Sequence, residues 1–402
     1  MKDYRIIKKC LLCESDVENH FYFGDTPLAN EYLNHINEQE LFPLNLVKCT
    51  KCSHVQLDCI VSLERMFKHY LYVSGTSSVN VRHFKDYADQ VIKEFNLNEN
   101  NFIIDIGSND GTFLQNFKDN NIQVLGIDPA ENIADIANGN HIPTIPRFFN
   151  LESAKIIKDH YKKANVITCN NMFAHNDNLS EIVNSVNEIL DDDGVFIFEN
   201  TYLLDMYKNC IFDINYHEHI HQHSIKPLSL FFSKFNMRIF KVVHLDNHGG
   251  SIRVYVCKNF SKLKEDESVK IFLEQEKNID MYFESFKNKF YEIKNNILNK
   301  LNDIKSQNKS IAVYGVPAKA TTLFYAFNID KSLIDFAVDD AKLKQGLFTP
   351  GNQIPIFHPD KIRINKPDYI LILAWNFAQS IINNNAHYKG TWIIPLPELK
   401  EV

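Results

Sequence analysis

The spacing of apolar residues divides the chain into three stretches. Residues 1–75 are rich in turns and cysteine, with Pro27 and Pro43 among them, and carry no sustained helical period. From about residue 80 short apolar runs alternate with helical stretches. The pattern predicts a helix near 80–96, a buried strand at 101–106, a glycine-containing turn, a helix near 111–119 and a second strand at 123–128. Residues 165–169 and 195–198 are further runs of the same kind, and strands alternating with helices imply a parallel sheet covered on both faces. Two runs within 239–257 predict a strand pair that closes this sheet.

Residues 262–309 are charged and nearly free of glycine and proline. Within them Phe286, Phe290, Ile293, Ile297, Leu301 and Ile304 recur at steps of three and four, which places them on one face of a long helix. Strand-like runs then begin at Ser310, Ile334 and Asp368, a second and smaller α/β unit. The expected fold class is α/β in three domains, 1–75, 76–260 and 261–402, the last led by the long helix.

At 402 residues the chain exceeds one ordinary core, in keeping with that division. Its net charge of -7 argues against a nucleic-acid partner, which requires a broad basic face, but leaves room for a local groove that holds one nucleoside diphosphate. Lys2, Arg5, Lys8 and Lys9 are followed by no apolar segment, and the apolar run at 369–375 is of strand length, so neither an export signal nor a membrane span is expected. The cytoplasm is the expected compartment. There, eight cysteines serve as metal ligands or core residues rather than as disulfides.

Cys10-x2-Cys13 and Cys49-x2-Cys52 are two knuckles of the kind that supply four thiolates to a structural zinc ion. The stretch between them exceeds that of a simple ribbon, so an insertion must loop out. Four sulfur ligands leave no open position for catalysis. Cys59, Cys169, Cys210 and Cys257 lack partner spacing and read as core.

Asp105-x-Gly107-x-x-x-Gly111 follows a buried strand and opens a helix, where free N–H groups and close backbone approach suit a nucleotide-type cofactor. Asp128 ends the next strand, where a carboxylate can accept ribose hydroxyls. Asn109 stands where a dinucleotide site prefers glycine, and the acid Asp105 suits a cationic cofactor. S-adenosylmethionine is therefore favoured over NAD. The residues assigned to it are Asp105, Gly107, Ser108, Asn109, Gly111, Asp128, Pro129 and Asn171.

Tyr216-His-Glu-His219 begins a segment with four histidines, at 217, 219, 221 and 223. Taken literally, His217-Glu218-x-x-His221 is a zinc-protease pattern, which requires a helix and a third ligand. The alternative is proton transfer. Methylating carbon needs a carbanion or enolate, and Tyr, Glu and His in one segment supply a base, a group that raises its basicity and a donor to the developing oxyanion.

With these motifs assembled, the chain resembles the three-domain sugar C-methyltransferases of deoxysugar biosynthesis over essentially its whole length. The resemblance is carried by Pro27-Leu-Ala-Asn30, the segment at 70–74, Ile106-Gly-Ser-Asn-Asp-Gly111, Tyr216-His-Glu-His219, His248-Gly-Gly-Ser251 and Tyr314-Gly-Val-Pro-Ala-Lys319. It implies a zinc-binding domain, a central Rossmann-like S-adenosylmethionine domain and a smaller Rossmann-like C-terminal domain that helps hold the nucleotide. It further implies a monomer acting at C3 of a 4-keto sugar linked to dTDP or another nucleoside diphosphate. On this resemblance His219 is the base at C3, Tyr216 and Glu218 line its pocket, and His175 and Tyr72 are further active-site residues. His248, Gly249, Gly315 and Lys319 are assigned to the substrate, although His248-Gly-Gly250 also reads as a tight turn between two strands. The histidine-rich stretch at 220–223 is a departure that bears on substrate choice. An NAD(P) oxidoreductase with a zinc ribbon, an O-methyltransferase, a metal-dependent hydrolase and an idle nucleotide-sugar-binding subunit remain alternatives.

Overall fold

The computed structural model describes residues 3–67, 73–76 and 78–402. The N-terminal unit contains β1 (Tyr4–Ile6), β2 (Val17–Thr26), β3 (Phe42–Cys49), β4 (Val55–Leu57), β5 (Cys59–Val61) and the short helix α1 (Leu63–Phe67). Its main sheet is antiparallel, and alternation along the strands turns Phe21 and Phe23 of β2 and Leu44 and Leu46 of β3 inward.

The central unit runs α2 (Ser78–Glu94), β6 (Phe102–Ile106), α3 (Thr112–Lys118), β7 (Gln123–Ile127), α4 (Glu131–Gly139), β8 (Thr144–Ile145), α5 (Leu151–His160), β9 (Ala164–Asn170), α6 (Leu179–Ile189) and β10 (Leu190–Thr201). It continues through α7 (Leu203–Asn209), β11 (His221–Gln222), α8 (Ile225–Ser233), β12 (Met237–Leu245) and β13 (Ser251–Lys258). Seven strands form one sheet in the order β12-β13-β10-β9-β6-β7-β8. The pairs from β10 to β8 are parallel, whereas β12 and β13 form an antiparallel pair closing the edge, as the apolar pattern predicts. Helices cover both faces, so every residue of β6 is buried and its sequence reads as a continuous apolar run interrupted by Asp105.

Strand β11 does not join that sheet. It pairs antiparallel with β4, His221 opposite Gln56 and Gln222 opposite Val55, and so becomes the fourth strand of the N-terminal sheet. The segment just before it, Tyr216 to His219, is thereby attached to the zinc unit.

The C-terminal part comprises α9 (Glu267–Gln275), α10 (Ile279–Ser306), β14 (Ile311–Tyr314), α11 (Ala318–Phe327), β15 (Phe336–Val338), β16 (Ile356–Phe357), α12 (Lys361–Asn365), β17 (Tyr369–Ile372), α13 (Ala378–Asn384), β18 (Thr391–Ile394) and β19 (Lys400–Glu401). Its six-stranded sheet, β16-β15-β14-β17-β18-β19, is parallel except for β19. Val269 and Phe272 of α9 pack into the core of the central unit.

The apolar stripe on α10 does more than lead into the last unit. Phe290 lies 5.0 Å from Phe21 of the N-terminal sheet, 4.9 Å from Phe212 of the central unit and 5.4 Å from Phe327 of α11, ring centre to ring centre. One helix thus bolts the three units together through aromatic contacts. Phe290→Ala leaves a cavity at this junction and is expected to cost about 3–5 kcal/mol in urea unfolding; a loss well below that range would show that the units are held elsewhere.

Candidate active site

The two cysteine knuckles converge. Cys10 Sγ lies 3.7 Å from Cys52 Sγ, and Cys13 Sγ lies 3.4 and 3.5 Å from those of Cys49 and Cys52. A tetrahedron of Zn–S bonds near 2.3 Å has edges of roughly 3.8 Å, so the cage fits zinc. The N–H groups of Lys51 and Cys52 both point at Cys49 Sγ at 3.4 Å, as thiolate acceptors require. These four thiols form a closed structural zinc site, since four sulfur ligands fill the tetrahedron. Cys59, Cys169, Cys210 and Cys257 are buried and unpaired, as core residues should be.

A cleft of about 490 Å³ opens above the C-terminal ends of β6, β7 and β9 and extends to the C-terminal unit. On one wall stand Gly107, Asn109, Asp128, Pro129 and Asn171. The turn after β6 needs left-handed backbone at Gly107 (φ 71°) and Asn109 (φ 51°), and a side chain on Gly107 would press on Met172 at 3.0 Å. Asp128 fastens this turn by accepting from the N–H of Asn109 at 2.9 Å and of Ala130 at 3.0 Å, which leaves lone pairs for a ribose.

Three of the assigned cofactor residues do not line the cleft. Ser108 turns its hydroxyl toward Gly126 of β7, Gly111 caps α3 against Ile142, and Asp105 lies beneath the floor. Asp105 accepts from Thr168 Oγ1 at 2.6 Å, and burial pushes its carboxyl up to about 7. Asn109, read from sequence as an obstacle to pyrophosphate, anchors a neighbouring segment through a bond from the Ser74 N–H to its Oδ1 at 2.9 Å.

Tyr216 and His219 line the cleft, with ring centres 4.1 Å apart, and His175 stacks on His219 at 5.1 Å. His219 Nδ1 meets the carbonyl of Ile214 at 2.7 Å. A carbonyl only accepts, so Nδ1 carries the proton and Nε2 the lone pair. Burial keeps His175 well below the usual imidazole range, and hence neutral. Glu218 accepts from Asn30 of the zinc unit at 2.6 Å. Tyr72 lies outside the described residues.

The other histidines serve structure. His217 is buried and donates from Nε2 to the Pro43 carbonyl at 3.1 Å. His221 bridges His54 at 2.8 Å and the Asn176 carbonyl at 3.0 Å, and His223 lies against Phe173. The segment is not helical, and the cysteine cage is the one metal-type cluster among the described residues, so the protease pattern is a coincidence of spelling. His221 and His223 do not line the cleft, which removes the expectation that they bear on substrate choice.

The far wall comes from the C-terminal unit, through Lys319, Lys344 and Asn376. Lys319 donates to Asn376 Oδ1 at 3.0 Å, lies 3.6 Å from Asp213 and sits 4.0 Å above the Trp375 ring. Gly315 (φ 78°) forms the turn below them but does not itself line the cleft. Asp339 holds that turn by accepting from the N–H of Val316 and of Ala341, each at 2.8 Å. The substrate assignment fails to place Gly249 in the cleft. Its Cβ position is filled by Ile211, and the stretch Asn247–Gly249 is the tight turn between β12 and β13, with His248 in its backbone. Sequence reading missed the cleft residues Asn30, Lys344 and Asn170, the last of which donates from Nδ2 to Asp105 at 3.5 Å while its Oδ1 is buried without a partner.

A seven-stranded sheet of this order, a glycine turn pinned by an acid on the next strand and an amide held at the cleft by the acid of the first strand define an S-adenosylmethionine-dependent methyltransferase. Residues 10–67 match a zinc binding domain, 81–242 a methyltransferase domain and 246–397 the C-methyltransferase C-terminal domain. The C-methyltransferase NovU of Streptomyces niveus is 31% identical over 405 residues, which span 98% of this chain and 96% of that one. The chain belongs to the C-methyltransferase family, and the oxidoreductase and idle-subunit alternatives fall away. Among solved structures, an S-adenosylmethionine-dependent methyltransferase of Clostridium acetobutylicum is 14% identical, covering 44% of this chain and 92% of that chain at a TM-score of 0.37. Magnesium protoporphyrin IX methyltransferase of Synechocystis, with S-adenosylmethionine bound, is 11% identical, covering 44% and 79% at 0.34. Among the described residues no helix is long and apolar enough to cross a membrane.

Cys13→Ser should release the zinc, measured as metal content per chain, and lower the melting temperature; a variant that keeps both would remove the metal from the fold. Burial depresses the pKa of His217 from 6.5 to about 4, more than its bond to Pro43 restores. The unfolded chain therefore binds a proton first as pH falls. The stability His217 confers is complete above 6.5 and is lost toward pH 4, by up to about 3 kcal/mol. In urea unfolding at several pH values His217→Gln should show a shallower loss over that window than the wild type, and an unchanged slope would refute the assignment.

Proposed function

We propose that this C-methyltransferase acts on a nucleoside-diphosphate-linked 4-keto deoxysugar, methylating C3 through an enolate formed by His219. The observation that carries this reading is the bond from His219 Nδ1 to the Ile214 carbonyl, which presents Nε2 as the lone-pair nitrogen of a side chain lining the cleft. A base so oriented takes the C3 proton, and the C–H electrons form the C3–C4 double bond while charge moves to the C4 oxygen. The Tyr216 hydroxyl, on the ring beside His219, is the donor assigned to that oxygen. Neutral His175 flanks His219 without opposing the positive charge that the base acquires. When bound, S-adenosylmethionine supplies the electrophilic methyl group that the nucleophilic carbon takes. Gly107, Asn109, Asp128, Pro129, Asn170 and Asn171 are the residues that would hold it.

The C-terminal wall supports an anionic carrier for the sugar. Lys319 and Lys344 both reach the cleft, and burial lowers the pKa of Lys319, a cost that a diphosphate would offset. The turn at Gly315 leads into α11, which carries Lys319, and Lys344 donates to the Val316 carbonyl of that turn at 2.9 Å. Four buried free thiols beyond the zinc cage support a reducing, cytoplasmic setting.

With a nucleotide-linked 4-keto-6-deoxy sugar in deuterated water, the wild-type protein should add one methyl group and place deuterium at C3 of unreacted sugar. His219→Ala should lose both activities by at least a hundredfold. Methyl transfer to oxygen without exchange at carbon would overturn the enolate reading, and an active His219→Ala would remove that residue as the base.

A further inference from the structure

One buried group of charges plays no part in the reaction so far described. Glu199 on β10 accepts at Oε1 from Nε and Nη2 of Arg253, each at 2.6 Å, and its Oε2 meets His83 Nε2 at 2.7 Å. Arg253 is locked in turn. Its guanidinium lies 3.4 Å above the Tyr87 ring, and Nη1 donates to Gln90 at 2.9 Å. The side chains of Glu199 and Arg253 are 4% and 2% exposed. An ion pair buried this deeply returns little stability over apolar residues of the same size, so a positioning role is the better account of it. Burial works against the charge on Glu199, yet the bond from His83 and the guanidinium of Arg253 hold its carboxyl below the usual range.

The group reaches the cleft through His83, on α2. With Nε2–H committed to the carboxylate, the imidazole offers Nδ1 to whatever occupies the cleft. The cleft lining also includes Ser74, Asn80, Asn170, Thr201 and Asn247, all uncharged and able to donate and accept. The opposite end of the cofactor wall is different in kind, with Ile127, Pro129, Ala130, Phe148 and Phe149 around Asp128. Apolar surface with one carboxylate suits an adenosine. Amides and hydroxyls in the lining, with the imidazole of His83, suit a group that carries both an ammonium and a carboxylate. The two ends lie over β7 and β10, three strand spacings or roughly 14 Å apart, a span suited to an extended nucleoside joined to an amino acid.

We propose that His83, oriented by Glu199 and Arg253, binds the amino-acid end of S-adenosylmethionine and so sets the reach of the cofactor across the sheet. His83 is a cofactor contact, whereas Glu199 and Arg253 are positioning residues. The inference rests on the family's cofactor and not on the identity of the sugar.

Two ligands that share the adenosine and differ in the amino-acid end test it without turnover. S-adenosylhomocysteine carries the amino acid, and 5′-methylthioadenosine lacks it. In calorimetric titrations of the full-length, zinc-loaded protein, His83→Ala should weaken S-adenosylhomocysteine at least tenfold and leave 5′-methylthioadenosine within twofold of the wild type. His83→Asn, which keeps a polar side chain in the wall, should give the same contrast if His83→Ala folds poorly. Equal weakening of both ligands would assign His83 a merely structural role. Unchanged binding of S-adenosylhomocysteine would exclude the contact.

Discussion

Two residue pairs join the chemistry to the scaffold. His221 opposite Gln56 and Gln222 opposite Val55 form the ladder through which β11 enters the N-terminal sheet, and Tyr216 to His219 hang directly before it. The β3–β4 hairpin on which that ladder is built is closed at its tip by Cys49 and Cys52, two of the zinc ligands. Because a preformed cage rarely exists in an unfolded chain, the free energy of binding zinc is also free energy of folding this sheet. None of the four cysteines lines the cleft, yet the segment from Tyr216 to His219 is tied through β11 to the sheet that they close. Asn30 to Glu218 and Pro43 to His217 are further ties between the same two units.

The second constraint is aromatic. The stripe on α10 meets Phe21, Phe212 and Phe327, one from each unit, so the walls of the cleft are set by side-chain packing across a single helix. Trp375 donating to Asp213 at 2.6 Å and Thr322 donating to the Asn215 carbonyl at 2.5 Å then hold the approach to Tyr216 from the C-terminal side. A site assembled from three units stays in register because close-packed interiors resist small shifts.

Much of this was legible in the chain because it is local. The C-x2-C pairs, the step of three and four along α10, and the strand–glycine–helix turns each lie within a short window, and each window states its own geometry. What failed to be legible was long-range. Nothing near His83 announces Glu199, although an arginine amid the apolar run of β13, Arg253, is a signal that a buried acid must answer it. The reading of His221 and His223 went astray because a run of imidazoles looks reactive in one dimension. Strand β11 sends them into the interface with His54 instead. Ser108 and Gly111 were swept in with their motif, yet turn geometry directs one toward β7 and spends the other on starting a helix.

The two α/β units share a small device whose effect reaches beyond geometry. Asp128 holds the turn at Asn109 and Ala130, and Asp339 holds the turn at Val316 and Ala341, in each case with one carboxylate oxygen per N–H. Both turns are therefore already in shape before anything occupies the cleft. A ligand arriving at either one loses its own freedom but does not also have to order a floppy loop, so more of its contact energy remains as affinity. The protein can then take up S-adenosylmethionine at the first of these turns by simple docking.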